Sequence, residues 1–224
     1  MTSPRIGGRA LGPTLGLALA LGLGLGGGFA IGVGLGWLSW SIWILGMHAL
    51  VAGLAVGALV GFGLALTGGP WGRAARVIAA LGILAAWVAE QAIEDRHLLA
   101  AHRADIAIAE PATTDLSAEL RERAFGGEGE ADARVLAGRG ADRKLEEEVV
   151  LAVGIGGPVG RWIFRAGEGV RLAGSWRQSR GLPIGVAGAI GWALVENALG
   201  LYLAHRVLKR IERRVRSEVA PPLG

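Results

Sequence analysis

The sequence predicts an all-α, polytopic helical membrane protein with about four transmembrane helices and a helical extramembrane segment between the third and the fourth. Three observations carry this. No Lys, Arg, Asp or Glu occurs between Arg9 and Arg73, a charge-free length that suits a bilayer and not a soluble domain. Four apolar regions stand out, at about 11–45, 49–67, 74–93 and 182–204, near or above the ~20 residues that a crossing helix needs. The short basic segments lie beside those regions, as they do where charge sets orientation.

Composition narrows the function. The 224 residues are 52% hydrophobic and include 39 Gly and no Cys. Disulfides, thiolate metal sites and cysteine nucleophiles are therefore excluded. The net charge of +4 would suggest nucleic acid in a soluble protein. Here the excess flanks apolar segments, so no nucleic-acid partner is expected.

The first region contains "LGLALALGLGLGGGFAIGVGLGW", Leu15 to Trp37. Every even position is Gly or Ala, and every odd one except Gly27 is large and apolar. Alternation suits a strand, but a membrane strand needs a closed barrel of ~10-residue segments alternating apolar with polar. A helix is the better reading. On it, Gly16, Ala20, Gly24, Gly28, Gly32 and Gly36 form one row of small residues, and Gly22, Gly26, Ala30 and Gly34 form a second. Such rows let helix backbones approach closely in lipid. The basic start (Arg5, Arg9) and "ALA" at 18–20 mimic a signal peptide, but the apolar run continues past them, so an uncleaved segment is expected. Trp37, Trp40 and Trp43 suit an interfacial belt.

Residues 15–36 resemble the alternating-glycine inner helix of rotary ATP synthase ring subunits. That likeness implies close helix packing, in a ring or within one bundle. The chain departs from that family's short two-helix hairpin and polar loop, so no ion chemistry is carried over. "AVGALVGFGLALTGG" and "ARVIAALGILAA", within residues 29–93, together with the last span, resemble a group of uncharacterised bacterial multi-span membrane proteins. This implies a bacterial inner-membrane setting and no particular activity.

"TGGPWGR" at 67–73 is a turn. One span within 11–45 puts the N-terminus, the Arg73 and Arg76 segment and the tail "HRVLKRIERRVR" on one side. Two spans there would place the Arg73 segment and the tail outside. The charges thus favour four spans with both termini cytoplasmic. Three parts follow: 1–93 with the Gly-rich first span, 94–181 outside the membrane, and 182–224 with the last span and basic tail. In the middle part, "DLSAELRERAF" from Asp115 reads as a capped helix with a Glu119–Arg123 pair. Residues 126–140 read as a mobile Gly-rich connection. Residues 141–153 read as a helix with Arg143–Glu147 and Lys144–Glu148 pairs. Residues 149–164 read as a surface-lying or re-entrant element, or a fifth span.

Candidate chemistry is sparse. Glu196 and Asn197 lie inside the last span, where a carboxylate costs ~2.5–3.5 kcal/mol on insertion scales. Trp192, Glu196 and Gly200 share a helical face, with Gly185 and Gly188 roughly in line, so that face is expected to meet another helix. Glu90, Glu94 and His97 share a face at the end of the third span. They form a weak metal candidate, set against ordinary ion pairing where the helix enters water. His48 and His205 are expected at the interfaces. "GIGGPVG" at 154–160 lacks the Lys-Ser/Thr of a phosphate loop, and Ser39 and Ser41 have no base nearby in sequence. No enzyme motif and no cofactor is expected. The partners expected are the lipid bilayer, a second copy or another membrane subunit, and anionic lipid at Arg206, Lys209, Arg210, Arg213, Arg214 and Arg216. The leading expectation is a structural or assembly subunit packing through its Gly-rich helix, and the alternative is a small channel or transporter using Glu196.

Overall fold

A computed structural model describes residues 13–41, 43–44, 46–67, 69–109, 129–168, 173–174 and 185–219. Six helices account for nearly all of them: α1 (Pro13–Ser41), α2 (Met47–Thr67), α3 (Arg73–Ala109), α4 (Gly129–Val153), α5 (Gly157–Glu168) and α6 (Gly185–Val219). Four of these, α1, α2, α3 and α6, are long and apolar enough to cross a membrane. The chain is a multi-pass helical membrane protein. The first apolar region is a single span.

Local chemistry sets the ends. Pro13, at the first position of α1, loses no helical hydrogen bond there. Gly46, at φ +81°, reverses the chain so that α2 can start one residue later. At the far end of α2, the Gly69 amide donates to the Leu64 carbonyl at 3.1 Å, closing that helix as glycine-rich stops do. Between α1 and α2 lies β1 (Trp43–Ile44), paired antiparallel with β2 (Ala173–Gly174), with Trp43 opposite Gly174. This two-residue ladder ties the α1–α2 connection to the segment preceding α6.

Glycine decides how the helices pack. Gly24, Gly28, Gly32 and Gly36 of α1 lie against Ile78, Gly82, Ala86 and Glu90–Ile93 of α3. The numbers rise together, so α1 and α3 run parallel. At Gly28 and Gly32 an added Cβ would fall inside the backbone of Gly82 and Ala86. Gly16 meets Thr67, and Ala20 meets Gly63, in an antiparallel contact of α1 with α2. A second small ladder joins α2 to α6. Gly53 lies on Gly200, Gly57 on Ala204 and Gly61 on Leu208 and Ile211, so these two helices are parallel as well. α1 and α3 point one way and α2 and α6 the other, so Pro13 and the basic end of α6 lie at the same end of the bundle, with Arg73.

The larger core side chains fill what remains: Val56, Val60, Leu64, Ile78, Ile83 and Leu208. Large residues of α1, such as Leu15, Leu25, Phe29 and Trp37, point outward. Only the row from Gly16 to Gly36 faces inward, and it is joined there by Leu35, which is also buried. The second row is different: at Gly22, Gly26 and Gly34 an added Cβ meets nothing within 4 Å.

Beyond the spans, α3 emerges from its apolar region and runs on to Ala109, and one expectation shifts. Residues 129–140, expected as a mobile connection, belong to α4. Ala, Glu, Leu and Arg in that stretch favour helix enough to carry its glycines. The helix expected from Asp115 lies outside the described residues. The 149–164 element is the end of α4 and most of α5, bent by 63° at the break between Val153 and Gly157.

The glycine contacts generate the first test. Gly28→Leu and Gly32→Leu must separate α1 from α3, and each should cost roughly 1–3 kcal/mol or more. Gly26→Leu adds a side chain in open space and should cost little. Thermal unfolding of purified variants in detergent checks the order; equal effects at Gly26 and Gly28 contradict the assigned face.

Candidate functional site

The last turn of α1, the first turn of α2 and the middle of α3 and α6 converge at the end of the bundle away from the basic tail. In the charge-free stretch between Arg9 and Arg73, His48 is the one titratable side chain. The turn at Gly46 brings it inside the bundle, where it is 1% exposed. Its Nδ1 pairs with Glu90 of α3, also 1% exposed. Glu90 lies where α1 presents Gly36, and a Cβ at that position would be 3.0 Å from the Glu90 carbonyl. His48 was expected at an interface; the small residues around it leave room to enclose it instead.

Glu196 approaches the same pair from α6 and is 6% exposed. Its carboxylate lies against the backbone amides of Gly46 and Ala49, at the start of α2, and near the His48 ring and the Trp192 indole. A helix N-terminus carries exposed N–H donors and about half a positive charge. A carboxylate there is stabilised electrostatically. Asn197, its neighbour, turns away. Its amide donates to the Ala193 carbonyl at 2.8 Å, and it lines a groove of about 530 Å³ between α3, α5 and α6, with Trp87 and Trp162.

A line of polar groups leads outward from His48 and Glu90. One turn along α3, Glu94 accepts hydrogen bonds from the Ser39 hydroxyl (3.1 Å) and Arg165 of α5 (3.1 Å). Arg165 also reaches Gln91 at 3.3 Å. Arg161, one turn earlier on α5, forks onto Asp95 at 2.7 and 2.8 Å and holds Glu146 of α4 at 2.7 Å. Farther out, Arg103 of α3 forks onto Asp142 of α4, and that guanidinium holds the Asp142 carboxyl below its usual range. Toward the tail, the line stops at Val56, Val60 and Leu64, which are fully buried.

Glu90, Glu94 and His97, the weak metal candidate, are thus engaged separately. Glu90 pairs with His48, Glu94 with Ser39 and Arg165, and His97 sits edge-on to Trp37 with centroids 4.8 Å apart. Among the described residues no three His, Asp or Glu side chains lie close enough to hold a metal ion. Several buried atoms of the cluster have no hydrogen-bond partner there: His48 Nε2, Glu90 Oε1, Glu196 Oε1 and Trp192 Nε1. Each such group costs ~1–3 kcal/mol. No family model, no curated protein and no solved structure matches the chain.

Breaking a buried pair strands a polar group, whereas replacing both partners does not. Glu90→Ala should therefore destabilise the bundle by roughly 3–5 kcal/mol. The His48→Leu/Glu90→Leu double variant should recover most of that loss in detergent melts. A double variant no better than Glu90→Ala would mean that the pair does not form.

Proposed function

We propose that the protein is a small proton or cation transporter or channel of the bacterial inner membrane, with His48, Glu90 and Glu196 as its exchange site. The observation that carries this reading is the convergence of three buried titratable side chains from three spans. Such groups inside spans are costly and mark ion pathways. His48 has the arrangement of an acid–base imidazole: a carboxylate orients Nδ1, and Nε2 remains available. A proton held by Glu196 passes to Nε2. The resulting imidazolium faces the Glu90 carboxylate, and the Glu196 carboxylate faces the amides of α2. The polar line through Glu94, Arg165, Asp95 and Arg161 supplies a route from the outer surface. Val56, Val60 and Leu64 close the opposite half in this conformation.

The resemblance to bacterial multi-span proteins supports that membrane. The gathering of Arg73, Arg76 and the α6 cations at one end supports cytoplasmic termini and contact there with anionic lipid. In proteoliposomes carrying a pH-sensitive dye, wild type should conduct protons under an imposed gradient. Glu196→Gln and Glu90→Gln should fall to the level of empty liposomes while remaining folded. Asn197→Ala should retain flux. A wild type no faster than empty liposomes sinks the transport reading.

A second reading, a structural or assembly subunit, has one specific support. The row of Gly16 to Gly36 is used within the chain, but Gly22, Gly26 and Gly34 remain open and could take a second copy or another membrane subunit. The mass of the particle in native-lipid discs tests this. An oligomer that Gly22→Leu and Gly26→Leu reduce to monomers supports it, and a monomeric wild type removes it.

A further inference from the structure

The elbow between α4 and α5 carries large apolar residues that no other described part of the chain covers. Leu151 is 87% exposed, Ile155 52% and Val159 61%. A helical pair surrounded by water does not normally present such a tip, and this one is held firmly. Gly154 and Gly157, at φ +74° and +73°, make the bend. The Glu146 carboxylate takes the Gly157 amide, which opens α5, as well as Arg161. Arg161 and Arg165 then clamp α5 onto Asp95, Glu94 and Gln91 of α3.

These clamps also fix its depth. Trp162 of α5 packs edge-on against Trp87, with centroids 6.1 Å apart. Trp87 lies within the third span. Trp162 shares the 530 Å³ groove with Leu84 and Leu194, and both of these are exposed on the flanks of crossing helices. α5 therefore stands level with the end of a membrane span, and its apolar face continues the lipid-facing surface of α3 and α6. Along α4 the character changes in the same sense. Asp142, Arg143, Lys144, Glu147 and Glu148 come first, followed by Val149, Val150 and Leu151. The charged part stands beside Arg103, and the apolar part leads into the bend.

We propose that the α4–α5 elbow is a re-entrant anchor. Leu151, Ile155 and Val159 seat among the acyl chains of the leaflet opposite the basic tail, and the chain leaves by the face at which it entered. The partner is lipid hydrocarbon. A crossing is opposed by the clamp: Arg165, near the end of α5, is still bound to Gln91 and Glu94, at the same end of the bundle as Asp142. This proposal does not depend on the transport reading.

The absence of cysteine makes the test direct. The full chain is placed in nanodiscs of phosphatidylcholine and phosphatidylglycerol, with one nitroxide at Arg143→Cys, Leu151→Cys, Ile155→Cys or Val159→Cys, and Phe29→Cys as a lipid-facing control. These positions are exposed, so labelling leaves the packing intact. The labels at 151, 155 and 159 should collide readily with oxygen and poorly with a water-soluble nickel chelate, as at 29. The label at 143 should show the reverse. Labels at 151 and 155 as open to nickel as at 143 would overturn the anchor. So would spin broadening at 151 that disappears on dilution with unlabelled chain, which would make a second copy the occupant. Impermeant labelling of Arg143→Cys and Glu168→Cys from opposite sides would make the pair a fifth span, and would overturn it as well.

Discussion

Everything in this bundle depends on how closely its backbones come together. Lipid tails are as apolar as leucine, so joining two helices in a bilayer gains little from hiding apolar surface. What remains is dispersion between atoms in contact, and that falls off within an ångström of separation. Gly28 and Gly32 bring α1 onto the main chain of Gly82 and Ala86, and Gly53 and Gly57 do the same for α2 on Gly200 and Ala204. The glycines are the surfaces of contact. Their weak helix propensity, roughly 1 kcal/mol each in water, matters less where an unpaired backbone group is costlier still.

The same closeness accounts for the polar cluster. Gly36 lets α1 lie against the Glu90 carbonyl and Ile93 of α3, and Gly200 lets α6 lie against Ala49 of α2, so α2, α3 and α6 come together at this level. His48 and Glu90 hold each other, and Glu196 rests against the first turn of α2. The cluster is thus the polar counterpart of the glycine ladders, at the level where α2 begins. It is also asymmetric. Ion pairs lead away from it in one direction and packed aliphatic side chains lie in the other, a distribution that distinguishes the two faces of the membrane before any lipid is considered.

Much of the architecture was legible in the sequence because its signals are strong and local. A charge-free stretch ending at Arg73, a small residue at every fourth position from Gly16 to Gly36, and the punctuation "TGGP" each have one economical structural meaning. The destination of the glycine row was not legible, because periodicity says which face is small and nothing about what meets it. Glu196 announced itself as a carboxylate inside an apolar span. His48 did not, although it is the single titratable group in its stretch and that isolation was the available signal. Its pairing with Glu90 joins residues 42 apart in sequence, and only the turn at Gly46 brings them together. Arg161 and Arg165 were hidden for a similar reason: their acidic partners lie on α3, far away along the chain.

The lengths of α3 and α6 give the molecule two shafts. At 1.5 Å per residue each is roughly 50–55 Å long, well beyond a hydrocarbon layer about 30 Å thick. They overhang at opposite ends: α3 continues past Glu90 to Ala109, and α6 past Ala204 to Val219. Neither overhang contains a glycine or proline after Gly200 or Glu90, so neither has a natural hinge. A torque applied to one shaft, on one side of the membrane, turns the stiff rod that carries Glu90; applied to the other, on the far side, it turns the rod that carries Glu196. The two carboxylates are in effect the inner ends of two levers whose handles lie on opposite sides of the membrane.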